Sequence, residues 1–424
     1  MSFQTGLSGL NASARNLDVI GHNIANANTT GFKNSRSEFA ALVSSALSSA
    51  TSGGIGIGVE TQTVAQMFTQ GNISTTNNNL DVAINGSGFF QVTLNDGSAA
   101  YTRDGSFKLD KDGYIRTNAG AKVMGYPTDK NGKATSVTLQ PLQLPTSAPI
   151  AATATTTITA QFNLDARAMG PTATAAAGLP PVPRSTYGTS VDVYDSQGVA
   201  TTASFYFVKT DNPNEWEVYD SLTSTTPITT LTFDNNGTLV APTPTITSGI
   251  HAGKFGVTLT SPTTFVSANP NDADGFLDGP IDFVFNNATQ YGTAFSVSSL
   301  TQDGYTAGEL TGINIGEDGV ITARYSNGQT QASGQIALAD FRNLQGLIPL
   351  GGNTWAATVA SGLPVGGAPG QGKFGVLRSG ALEESNVDLT QELVNMMTAQ
   401  RAYQANAQTI KTQDQVMSTL VNLR

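Results

Sequence analysis

Both ends of this chain read as amphipathic helices, and the long middle does not. A chain that starts and finishes on helical seams must leave its origin, fold a body and come back. Its two ends then run side by side in opposite directions. Spacings of three and four residues place Phe3, Leu7, Leu10, Ala14, Leu17, Gly21 and Ile24 on one stripe, a seven-residue repeat. The other face carries Asn11, Arg15, Asn16, Asp18 and Asn23. Gly6, Gly9 and Gly21 lie inside the segment, and each costs about 1 kcal/mol relative to Ala. Such a helix is marginal alone and requires a partner.

The C-terminal stretch supplies a partner. One register reads Leu389, Met396, Tyr403, Ile410 and Met417; the other reads Leu393, Gln400, Ala407, Asp414 and Val421. Ser385-Asn386-Val387-Asp388 offers N-caps, and Asp388 with Gln391 is spaced as a capping box. Gln400 and Asp414 weaken a simple two-stranded seam and suit a larger helical assembly. Two readings stay open: an intramolecular hairpin that staples the body, or adhesive ends that order on self-assembly. On both, the interface residues are Phe3, Leu7, Leu10, Ala14, Leu17, Ile24, Leu389, Leu393, Met396, Tyr403, Ala407, Ile410, Met417 and Val421.

Between the ends the sequence is β-rich. Asn85-Gly86, Asp96-Gly97, Asp104-Gly105, Asp112-Gly113, Asn131-Gly132, Asn236-Gly237, Asp318-Gly319 and Asn327-Gly328 suit type I′ hairpin turns. Alternating apolar runs flank them, among them Phe89 to Leu94, Thr189 to Tyr194, Ala203 to Val208, Ile281 to Phe285 and Val320 to Tyr325. Ala-, Thr- and Pro-rich stretches, including Pro180-Pro181-Val182-Pro183, mark the edges of an inserted β domain over residues 146–290. Residues 44–58 and 361–372 read as flexible joints. The expected fold is therefore mostly β with long helical termini, with an antiparallel N-/C-terminal coiled-coil domain and two β domains. The expected division is residues 1–30 and 376–424 (terminal helices), 31–70 and 361–375 (connectors), 71–145 and 291–360 (β body), and 146–290 (insert).

Composition narrows the function. Lys and Arg number 21 and Asp and Glu 31, for a net charge of −10, which argues against a phosphate-tracking nucleic-acid binder. Charged residues are 12% of the chain, about half the usual share. There is no Cys and His occurs twice, at His22 and His251, so thiol chemistry is excluded and His-based sites have little material. Gly53-Gly-Ile-Gly-Ile-Gly58 matches neither dinucleotide nor P-loop spacing. Asp110-Lys-Asp-Gly113 lacks the closing Glu of a calcium loop and reads as a hairpin turn. No cofactor, metal or catalytic residue is expected, and no enzyme. No apolar run approaches the length of a membrane span, and the first residues lack the pattern of a cleavable secretory signal.

Leu17-Asp-Val-Ile-Gly-His-Asn-Ile-Ala-Asn-Ala-Asn-Thr-Thr-Gly-Phe-Lys33 closely resembles the signature of the flagellar rod and hook protein family. So do Ala381-Leu-Glu-Glu-Ser-Asn-Val-Asp-Leu-Thr-Gln-Glu-Leu-Val-Asn395, Gln400-Arg-Ala-Tyr403, Asn85-Gly-Ser-Gly-Phe-Phe90 and Tyr101-Thr-Arg-Asp-Gly-Ser-Phe107. Position 22 is His where the family often has Asn, a change that an outward polar face accommodates. The large insert, Gln302-Asp-Gly-Tyr305, Gly308-Glu-Leu310 and Ile410-Lys-Thr-Gln-Asp414 resemble the hook members rather than the shorter distal rod members. The resemblance implies a structural subunit of a curved tubular homopolymer, a universal joint that passes torque from rod to filament. It implies helical ends forming the inner tube, the β body a middle layer and the insert an outer one. It also implies an extracellular place on the flagellum and export through the flagellar type III apparatus. Besides copies of itself, the implied partners are the rod, the hook-cap protein and the hook-filament junction protein. The alternatives are a distal rod protein and a secreted β-rich adhesin.

Overall fold

The computed structural model describes residues 2–43, 56–146, 149–177, 184–241, 256–259, 281–285 and 287–422. His251, the Pro180–Pro183 stretch and residues 44–55 of the joint expected at 44–58 lie outside these residues. The chain is mostly β, with a long helix at each end. Two compact units divide it: Met1–Ser147 with Thr311–Arg324 and Thr330–Arg424, and Ala148–Leu310 with Tyr325–Gln329.

In the first unit the N-terminal helix spans Ser2–Ala25 and the C-terminal helix Leu389–Asn422. The latter has 34 residues, about 51 Å of rise. Asp388 caps it as the spacing predicts: its Oδ1 accepts from Thr390 N at 2.8 Å and Gln391 N at 3.1 Å. Among the described residues the Gln391 side chain does not return a bond to Asp388 N; its Nε2 donates to Asn395 Oδ1 at 3.1 Å.

Within residues 31–70, expected as a connector, two long strands pair antiparallel. Ser35–Val43 pairs with Gly56–Gln66, and both strands pack along the N-terminal helix. The hydroxyl of Ser8 accepts from Val59 N at 3.2 Å. Asn23 closes the base, exchanging side-chain hydrogen bonds with both backbone groups of Ser35. Residues 361–375 are no loose joint either: Val365–Gly367 pairs with Leu338–Asp340, and Ser361 is fully buried. Their Gly and Pro content serves close backbone packing as well as flexibility, and composition alone does not tell the two apart.

The body of this unit is a branched sheet built around Val82, Ile84, Phe90, Phe107, Val123 and Ile336. Phe90 and Phe107 meet edge to face at 5.0 Å. A second cluster gathers Phe89, Tyr101, Phe341 and Trp355.

The strands fall within a few residues of the alternating runs, but the turns differ from expectation. A type I′ turn needs positive φ at both central residues. Here the Gly of each pair takes it at 86, 97, 113, 132, 237, 319 and 328, while the preceding Asn or Asp does not. Gly113 N bonds to Asp110 O and Asp110 N to Tyr114 O, both at 2.9 Å. The same ladder recurs at 94–98, 129–133, 234–238 and 325–329. These are type I turns closed by a left-handed Gly, with one residue more in the loop. At the first position Asp129 and Asp234 favour them, each accepting from a backbone N–H two residues on, while in the 94–98 loop Asp96 stands third and accepts from Ser98 N. Gly105 is not such a turn: a Cβ there would collide with the Val82 carbonyl.

The second unit holds two five-stranded sheets among the described residues. One is an antiparallel meander from Gly188–Tyr194 to Leu239–Ala241. The other centres on Thr157–Asp165, flanked by Ile281–Val284, Thr289–Tyr291 and Ser296–Gln302. The last pairing, Ile158 opposite Gln302, carries the unit past the boundary expected at 290. The inward faces form one core. At its centre Phe205 of the meander stacks on Phe283 of the other sheet at 4.1 Å, and Trp216 is fully buried.

Phe205→Ala removes one of these stacked rings and should cost this unit about 3–5 kcal/mol. In a Trp355→Phe background Trp216 is the sole tryptophan, so urea unfolding followed by its fluorescence reads this core. A loss below about 1 kcal/mol would reject the sandwich as the stabilising core.

Candidate assembly interface

The two helices pack antiparallel along a seam of small residues. A Cβ at Gly6 would come 3.1 Å from Ile410 Cγ1, and one at Gly9 3.0 Å from the Asn406 amide. Asn406 Nδ2 reaches the Ser13 hydroxyl at 3.3 Å. Towards the base, Ile20 and Ala399 are buried. Gly6, Gly9, Ser13 and Ile20 follow their own three-four spacing, one residue out of phase with the leucine stripe. The seam within the chain is therefore not the stripe that hydrophobicity picks out. Small residues let the backbones approach, and that close approach explains glycines that weaken the helix by propensity.

The leucine stripe faces elsewhere. Phe3 is 51% exposed, Leu393 47% and Met417 60%. Leu7, Leu389 and Tyr403 are exposed too. Leu10, Ala14, Leu17, Ile24, Met396, Ala407 and Ile410 are half-buried, and Ile410 belongs to the internal seam. The Val421 side chain lies outside the described residues. Val394, Met397 and Val416, absent from the expected set, are also exposed. His22 is exposed, its ring 5.5 Å from that of Phe32. No three His, Asp or Glu side chains among the described residues gather to hold a metal.

At the base of the helices lies a feature that periodicity does not reveal. Lys33, Arg103 and Glu383 form a buried charge cluster. Lys33 Nζ is 2.5 Å from Glu383 Oε1, and Arg103 Nη1 is 3.0 Å from Glu383 Oε2. Lys33 also donates to Thr69 O at 2.7 Å, and Arg103 to Gly86 O at 2.9 Å. Gly71 N donates to Glu383 Oε1 at 3.0 Å. The Arg103 guanidinium lies 5.3 Å from the Phe89 ring centroid. Two cations share one anion, and carbonyl dipoles and a ring face take up the excess positive charge. Burial pushes the Lys33 ammonium below its usual value, and the Glu383 charge pulls the other way.

Neighbouring groups tighten the same knot. Gly31 N donates to Glu383 O at 2.8 Å. Gly31 has φ of 69°, and a Cβ there would meet the Asp104 backbone. Asn386 accepts from Asn34 N and donates to Met67 O, both at 2.7 Å. One weak sequence signal exists. Ala381-Leu382-Glu383 alternates so that Glu383 shares the buried face of Ala381, which puts a charge on an inward position.

Glu383→Gln leaves two cations buried beside a neutral amide and should destabilise this unit by about 3–5 kcal/mol. Thermal melting and limited proteolysis should show both helical arms released while Trp216 stays buried. Lys33→Met added to Glu383→Gln removes one cation and should recover part of the loss. Unchanged protease resistance of the arms would reject the cluster as their anchor.

Family models match along the chain. Residues 3–33 match the flagella basal body rod protein family, and residues 83–161 the D1 domain of flagellar hook protein FlgE/F/G. Residues 163–305 match the D2 domain of flagellar basal body protein FlaE, and residues 378–423 the C-terminal region of flagellar basal body rod FlgEFG protein. Lys33, Arg103 and Glu383 each fall in a different one of these matches. The flagellar hook protein FlgE of Escherichia coli K12 is 42% identical over 439 residues, covering 100% of both chains. That of Treponema pallidum is 35% identical, covering 100% of this chain and 99% of its own. The crystal structure of Helicobacter pylori flagellar hook protein FlgE2 shares the fold with a TM-score of 0.51 at 16% identity, over 73% of this chain and 100% of that one. Matched from end to end at this identity, the chain belongs to the flagellar hook protein family.

Proposed function

We propose that this structural hook subunit polymerises through the apolar helix faces its own fold leaves open. The observation that carries this reading is the division of each terminal helix. Small residues serve the internal seam, while Phe3, Leu7, Leu389, Leu393 and Met417 stay exposed. Apolar surface removed from water stabilises a contact by about 25 cal/mol per Å², and an exposed stripe along a helix of this length marks an interaction face. Half-buried Leu10, Ala14, Leu17, Ile24, Met396 and Ala407 border the same surface.

In this reading the paired helices form a coiled-coil domain and the inner tube of a curved helical polymer. The β body makes the middle layer and the inserted unit the outer layer. Close helix packing supplies torsional stiffness. A surface in which charged residues are only 12% of the chain makes shallow contacts that re-register cheaply as the tube bends, so the polymer works as a universal joint between rod and filament. The subunit leaves the cell through the flagellar type III channel, and the finished tube meets the rod, the hook cap and the hook-filament junction. The absence of Cys and the glycine-weakened N-terminal helix suit passage as an unfolded chain.

Leu393→Asp places a carboxylate on the exposed face and away from the internal seam. The variant should melt within about 1 °C of wild type, as surface substitutions generally do, and yet form no tubes by negative-stain microscopy. Leu10→Asp should block growth as well. Wild-type tube yield from both variants would reject the assigned face.

A further inference from the structure

A cleft of 620 Å³ opens between the two helices near their base, with Asn16, Ile20, Asn34, Arg36, Glu392 and Asn395 among its walls. Glu392 lies in the first turn of the C-terminal helix and is only 8% exposed. Its Oε2 is buried without a hydrogen-bond partner, and so is Asn34 Oδ1 on the facing wall. Glu392 enters no ion pair among the described residues. The cation at the rim, Arg36, pairs with Glu38 at 2.7 Å instead. The cleft thus presents two unmatched acceptors, one of them a carboxylate. The chemistry that answers them is a cationic donor with several N–H groups, which a guanidinium supplies in a flat fork.

We propose that the cleft receives the Arg401 guanidinium of a second copy of this chain. The proposal deepens the assembly reading above and rests on it. Three cations on the helices, Arg15, Arg401 and Lys411, have no ion pair among the described residues. Arg401 follows Glu392 by nine residues on one helix, about half a turn around it and about 13.5 Å along it. It therefore projects from the face opposite the cleft, beside exposed Leu393, Val394 and Met397. Lys411 lies about a quarter turn from the cleft face, and Arg15 sits on the other helix. A contact from the outer face of one copy to the inner cleft of the next is head-to-tail. Such a contact repeats without closing on itself and so builds an open helical polymer.

The chain has no Cys, which makes the test clean. Glu392→Cys and Arg401→Cys subunits are mixed into an excess of wild-type subunits, whose intact contacts carry growth, polymerised and treated with a short thiol cross-linker. Cross-linked heterodimers should appear in tubes and not in dilute monomer. In parallel, Glu392→Arg and Arg401→Glu should each reduce tube yield by about tenfold or more with unchanged monomer melting, and the double exchange should restore it. No 392–401 cross-link in tubes would overturn the contact. So would rescue of Glu392→Arg by Arg36→Glu alone, which would mean that the cleft closes within one chain. Wild-type tube yield from Glu392→Gln would show a water-filled cleft only. If Leu393→Asp still blocks growth in these outcomes, the assembly reading stands and only this contact falls. If Leu393→Asp and Leu10→Asp both grow normally, the assembly reading itself fails.

Discussion

Everything at the base of the helices depends on the carboxylate of Glu383. It binds a lysine 350 residues earlier and an arginine 280 residues earlier, and so ties the start, body and end of the chain at one point. A buried ion pair contributes little net stability compared with apolar packing of the same volume. Its effect is selectivity. Removing the carboxylate would leave Lys33 and Arg103 as buried, uncompensated charges, which disfavours any register of the departing and returning segments other than this one. Gly31, which admits the Asp104 backbone, and Asn386, which stitches the returning segment to residues 34 and 67, hold that register once it is found.

The same logic explains why the N-terminal helix is built from poor helix formers. Gly6 and Gly9 cost helix propensity, but they let Ile410 and Asn406 approach the backbone directly. A leucine seam inside the chain would have consumed the apolar residues that now stand outside it. Separate stripes let one short helix make the internal seam and keep an apolar face exposed, with the strand Gly56–Gln66 packed on a third side at Ser8.

Much of this was legible in the sequence, and the parts that were not have physical causes. Strands such as Phe89–Thr93, Gly188–Tyr194 and Val320–Tyr325 announce themselves because side chains alternate locally. The Asp388 cap does so because its partners lie two and three residues away. The turn positions were clear, but their type depended on backbone hydrogen bonds at the residue two places before the Asn or Asp of each pair. The internal seam was invisible to a hydrophobic scan, since glycine and serine carry no apolar signal. The charge cluster was invisible because its members are separated by 70 residues at the least, and nothing local says that Lys33 or Glu383 is buried. Residues 31–70 and 361–375 were misread for another reason: their Gly-, Ser- and Pro-rich composition carries no sign of the pairings of Ser35–Val43 with Gly56–Gln66 and of Val365–Gly367 with Leu338–Asp340.

Sequence separation also orders the events of folding. The core around Phe205, Trp216 and Phe283 is closed by pairings within residues 148–310, so it forms without either end of the chain. The helical arms are different. Their anchor joins Glu383 to Lys33 and Arg103, and their seam joins Asn406 and Ile410 to Gly9 and Gly6, hundreds of residues away in sequence. Loop-closure entropy for so long a separation is met only when several contacts form together. The two exposed helix faces gain a common geometry only when that closure occurs. A chain that is incomplete, or whose cluster has lost its anion, would carry the same apolar residues on unpaired segments. Without that closure, the same residues lack the common geometry that the anchor and the seam set.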